Sequence, residues 1–116
     1  MATTLSNFTS ETQLTTSEVA LVSTTATASQ KKLIGMATVT NTSDTAVEVT
    51  VWRLAVDTIG TTGSGGNWLW KQTIYPYSTV RIDKIITHVL DSSMKISALA
   101  DTAGVINIDI SGTSET

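Results

Sequence analysis

A chain of 116 residues with a formal net charge of -3, no cysteine, one histidine and one proline has room for one small hydrophobic core and no second. The lack of cysteine excludes a disulfide framework, thiolate chemistry and thiolate zinc sites. Basic residues are scattered singly, with Lys31-Lys32 the densest pair, which speaks against nucleic acid as a partner.

No apolar run approaches the roughly 18 residues of a membrane span, and Met1-Ala2-Thr3-Thr4-Leu5 lacks the charged and apolar regions of a signal peptide. The expectation is a soluble chain made in a cytoplasm, with no membrane partner. Threonine makes up about a fifth of the residues, joined by abundant Ser and Val. β-branched side chains lose rotamer freedom in helices and suit pleated, half-buried surfaces, so the chain reads as all-β.

In chain order, residues 1–17 are Thr/Ser-rich, with Leu5, Phe8 and Leu14 as isolated apolar residues too sparse for a continuous strand face. They read as an extended N-terminal arm that orders against a neighbour, followed by a β-sandwich domain over residues 18–116. Residues 18–23 read as a first strand and 24–30 as a polar loop or exposed edge. The run 32–41 has strand length and ends in Asn41-Thr42-Ser43-Asp44, where Asn and Asp side chains bond their own backbone in turns. Residues 46–56 follow as a strand with Val47, Val49 and Val51 on one face, so the two runs read as an antiparallel hairpin. Trp52, Leu54 and Val56 continue the apolar pattern on the opposite parity, which predicts a bulge near Trp52.

The glycine-dense stretch 59–67 reads as a flexible loop. A short strand over 68–74 leads to a turn at Tyr75-Pro76-Tyr77-Ser78, where proline's fixed φ is of use. Residues 79–90 read as one long strand or two short ones with a corner between them. After Asp91-Ser92-Ser93 come a strand over 94–100, a tight connection at 101–104 and a last strand over 105–111, where Ile106, Ile108 and Ile110 alternate with Asn107 and Asp109. Short strands spaced by turn signals suggest a sandwich or a small barrel; the expectation is a single antiparallel β-sandwich, jelly-roll or immunoglobulin-like, with Val39, Val47, Val49, Val51, Ile82, Ile96, Ile106 and Ile108 in its core.

Chemistry is thinly provisioned. His88 has no second imidazole or thiol beside it in the sequence, and reads as a strand residue satisfied by a neighbour. Asp57, Asp83, Asp91, Asp101 and Asp109 lack the spacing of a calcium loop. Gly63-Ser64-Gly65-Gly66 has the glycines of a nucleophile elbow without its spacing, and no Lys-Ser or Lys-Thr follows Gly65 as a phosphate loop requires. Asn7-Phe8-Thr9 and Asn41-Thr42-Ser43 match the glycosylation acceptor pattern, which recurs by chance in a Thr-rich chain. The reading is no catalytic residue, no cofactor and no metal. Trp68, Trp70, Tyr75 and Tyr77 cluster in sequence, either as core or as anchors at a subunit interface, with a sugar platform as a further alternative. With Leu5, Phe8 and Leu14 of the arm they are the candidate partner-contact residues.

The block from Leu33 to Trp52, with Lys31-Lys32 before it, resembles a hairpin of small virion structural proteins of tailed bacteriophages: an aliphatic strand, Asn41-Thr42-Ser43-Asp44, then a valine-rich strand. Ile96-Ser97-Ala98 and the stretch from Ala103 to Gly112 fit the same layout, so the resemblance covers about residues 31–112. It implies a non-enzymatic subunit of a virion, assembled in the host cytoplasm and repeated in many copies as a capsid decoration or cement protein. The alternatives are a neck, collar or tail accessory, and a carbohydrate- or receptor-binding module. Its implied partners are copies of itself and the major capsid, portal, neck or tail proteins. The longer Thr-rich N-terminal segment and the three tryptophans depart from the family's pattern.

Overall fold

The computed structural model describes residues 3–23, 31–55, 69–90 and 94–115. Among these residues the regular structure consists of nine strands: β1 (Thr3–Gln13), β2 (Val19–Ser23), β3 (Lys31–Asn41), β4 (Val47–Ala55), β5 (Trp70–Ile74), β6 (Thr79–Arg81), β7 (Val89–Leu90), β8 (Met94–Ala100) and β9 (Ile106–Glu115). Among the described residues there is no helix. One sheet has the order β1-β9-β3-β6, with β7 also on β3; the other has the order β2-β8-β4-β5. Every pairing is antiparallel.

The pairs β1–β9, β2–β8, β3–β6/β7 and β4–β5 fall alternately in the first and second sheet. That is one long hairpin, closed at the β4–β5 end, wound around a common core: the jelly-roll arrangement, which settles the choice left open between jelly-roll and immunoglobulin-like. It also corrects the hairpin expected from residues 32–56. β3 and β4 are sequential but lie in different sheets, because both carry apolar residues that the gap between the sheets buries. Ile34, Ala37, Val39, Ile106, Ile108 and Ile110 face inward from the first sheet, and Val47, Val49, Val51, Ile74, Ile96 and Ala98 from the second. All eight residues expected in the core are fully buried.

The connection from β3 to β4 is organised by Asn41, itself fully buried. Its Nδ2 donates to the carbonyls of Thr45 (2.8 Å) and Ile74 (3.0 Å), while its Oδ1 accepts from the Ser43 amide (2.9 Å) and hydroxyl (2.8 Å). One side chain thus builds the turn and ties it to the end of β5 in the opposite sheet. Turn chemistry was legible in the residues; the bond to Ile74 was not.

Two further differences from the sequence reading have physical causes, and between them one alternative, the corner expected within residues 79–90, is decided. No bulge occurs near Trp52: β4 pairs regularly with β8 from Val49 to Ala55. β4 is an inner strand with Thr50, Val51 and Trp52 all buried, and a strand covered on both faces reads as a continuous apolar run rather than an alternation. Residues 79–90 divide into β6 and β7 around a turn that inserts Ile82 and Ile85 into the core. The segment from Thr3 to Gln13 is extended, but it does have a strand to join: β1 lies along β9 of its own chain. Main-chain pairing makes few demands on side chains, so sparse apolar content did not reveal it.

Candidate interaction surface

The seven residues singled out for partner contact separate sharply. Leu14 is fully buried, with its amide donating to the Ile106 carbonyl (2.9 Å) and its carbonyl accepting from Gly104 (3.2 Å), and Trp70 is part of the core. Neither is available to a partner, because each fills the sandwich at the point where its strand ends or begins. Phe8 is half-buried against the core, with Lys32 Nζ 5.4 Å from its ring centroid. Trp68 lies outside the described residues. Leu5, Tyr75 and Tyr77 stand exposed.

The two tyrosines flank Pro76 at the corner between β5 and β6. Tyr77 has φ 54°, an uncommon backbone for a bulky residue, held by its amide bonding to the Ser43 carbonyl (3.2 Å). With Trp70 in the core, the expected aromatic platform is reduced to this corner among the described residues.

Leu5 belongs to a larger arrangement. Directly opposed residues of antiparallel strands point to the same face of a sheet. Leu5 opposes Thr113, Thr113 opposes Leu33, and Leu33 opposes Val89, so one row crosses β1, β9, β3 and β7 on the outer face of the first sheet. Leu5 is 85% exposed, Leu33 41% and Val89 40%. The next row is Asn7, Ser111 and Met36, the last also exposed. Between the rows Gly35 sits where the β3–β9 register shifts, and Gly112 lies so close to β3 that a Cβ there would stand 1.9 Å from the Leu33 carbonyl oxygen. Leu5, Asn7, Ser111 and Gly112 line an open hollow of about 390 Å³.

The rest of this face is polar. Asp109, Thr38 and Arg81 form one row, with Arg81 Nε 2.8 Å from Asp83, and Gln13, Asn107, Thr40 and Thr79 another. Among the described residues the exposed large apolar side chains therefore fall in two places, one end of this face and the Tyr75–Tyr77 corner. Sequence reasoning missed Leu33, Met36 and Val89. The available signal was Leu33 beside Ile34: adjacent strand residues point to opposite faces, so one of the two had to be outside.

Of the candidates for chemistry, His88 is half-buried and its carbonyl accepts from the Ile34 amide (3.0 Å). Asp83 pairs with Arg81, and Asp101 accepts from the Glu48 amide (3.2 Å). Asp57, Asp91 and the stretch 59–67 lie outside the described residues. Among those described, no three His, Cys, Asp or Glu side chains converge as a metal site would need.

No protein-family model matches the sequence, and no curated protein does. Among solved structures the chain is similar to one from Bacillus endospore appendages, which form a novel family of disulfide-linked pili; the TM-score is 0.53 at 7% identity, over 98% of this chain and 88% of that one. At that identity the likeness is one of fold alone.

Proposed function

We propose that this chain is a non-enzymatic structural subunit that acts by assembling in many copies. The observation that carries the reading is one row in which exposed Leu5, Leu33 and Val89, with Thr113 between the leucines, reach β1, an edge strand among the described residues. Single exposed apolar residues are ordinary on a soluble surface, but three aligned in one row cost solvation unless another surface covers them. Repetition then turns modest contacts into firm attachment through avidity. The similar chain from endospore appendages comes from pili, which agrees with a subunit role; this sequence has no cysteine, so its own contacts would not be disulfide-linked.

The finer reading, a decoration or cement protein on the capsid of a tailed phage, rests on the resemblance of residues 31–112, with a neck, collar or tail position as its alternative. The test has two parts. Electron microscopy of the concentrated chain should show regular rings, shells or fibres, and a strictly monomeric chain would overturn the subunit reading. Immunogold labelling of purified virions should place the chain on capsid, neck or tail. Unlabelled virions beside regular self-assembly would remove the phage placement alone.

A further inference from the structure

The subunit reading leaves open which surface meets which, and among the described residues the five strands at the sheet edges are not equivalent. β5 and β2 have five residues each, β5 carrying Lys71 paired with Glu48 at 3.8 Å and β2 broken by a register shift after Ala20. β6 and β7 have three and two residues and are separated by the turn that buries Ile85. β1 has eleven residues and a single strand neighbour among those described. Native sheets usually blunt such an edge with lysine, proline, shortness or bulges. β1 contains neither lysine nor proline, and its register shifts come only after Asn7.

The regular part of β1 is therefore Thr3 to Asn7, uncharged throughout, and Leu5 is its midpoint. We propose that two copies of this chain pair through β1, antiparallel and centred on Leu5, joining their first sheets into one continuous sheet. A two-fold axis there sets Leu5 against Leu5 of the partner subunit and Thr3 against Asn7 of the partner subunit. No like charges meet across the axis, and an isologous contact of this kind closes on itself as a dimer. The row Val89, Leu33, Thr113 and Leu5 then continues into the other copy, covering the most exposed large apolar side chain among the described residues. Main-chain hydrogen bonds supply affinity, which suits a strand rich in Thr and Ser, and Leu5 supplies the register. This inference rests on the subunit reading and specifies its first contact.

Because the chain has no cysteine, a single introduced thiol reports only contacts between copies. Directly opposed Cα atoms lie about 4.5–5.5 Å apart, within disulfide range. Leu5→Cys should give a disulfide-linked dimer under mild oxidation. Asn7→Cys should not, because the same register separates the two Asn7 positions by four residues along the strands, about 13 Å. Leu5→Lys should sediment as monomer at concentrations where the unaltered chain is dimeric; Leu5 is exposed, so both variants should fold, and thermal unfolding checks that they do. Equal cross-linking of Leu5→Cys and Asn7→Cys, or identical sedimentation of Leu5→Lys and the unaltered chain, overturns the pairing. If the unaltered chain still forms regular particles by microscopy, the subunit reading survives that loss; if it stays monomeric, both fail.

Discussion

Asn41 shows how much one side chain can determine. It is buried without charge, satisfies two carbonyls and accepts from Ser43 twice, so Asn41→Ala would strand the Ile74 carbonyl in a dry environment. The expected cost is about 2–3 kcal/mol, read as a lower denaturant midpoint at unchanged slope. Gly112 and Gly104 are constrained for different reasons. At Gly112 a methyl group would meet the Leu33 carbonyl oxygen at 1.9 Å, so Gly112→Ala forces β3 and β9 apart and should cost about 2–3 kcal/mol. At Gly104 the space is open but φ is +79°, so Gly104→Ala should cost only about 1–2 kcal/mol. Thermal unfolding of the two variants should rank them in that order. The Asn41 turn was legible because Asn-Thr-Ser-Asp is local chemistry; the tight approach at Gly112 was not, since it depends on a strand some 78 positions away in sequence.

At the scale of the element, β1 combines two roles that its composition conceals. Its C-terminal end leads into Leu14, which is locked into the core, whereas Leu5 on the same strand projects from the sheet. Leu14→Ala should therefore destabilise the monomer by about 2–5 kcal/mol, in the range of buried leucine truncations. Leu5→Ala should leave monomer stability within about 0.5 kcal/mol and act only on association. Urea unfolding at low protein concentration separates the two effects. Equal destabilisation would mean that Leu5 is covered within its own chain. The sequence placed both leucines in one arm because neither sits in a periodic pattern, and periodicity is the signal that reports a face. Conversely β3 and β4, each strongly patterned, were recognised as strands, and only their partners were misassigned.

For the whole molecule, the winding of one long hairpin means that its outermost pair, β1–β9, joins the two ends of the described chain. Such non-local pairing places loop-closure entropy ahead of most native contacts and slows folding. Stopped-flow refolding followed by the fluorescence of buried Trp52 and Trp70 should give relaxation in milliseconds to seconds, in the range of all-β sandwiches. Microsecond folding would be at odds with this topology.

By itself the sequence determined the strand content, most strand positions, the turns at Asn41 and Pro76, and a core of Val and Ile, because all of these follow from residue type and short-range alternation. Tertiary structure alone decided that β3 and β4 part into separate sheets, that β1 closes against β9, that Leu14 and Trp70 are buried, and that Leu5, Leu33 and Val89 align as one exposed row. Each of those depends on register between strands distant in the chain. A one-residue slip would move every side chain of a strand to the opposite face, so the surface this protein presents is a property of pairing rather than of composition.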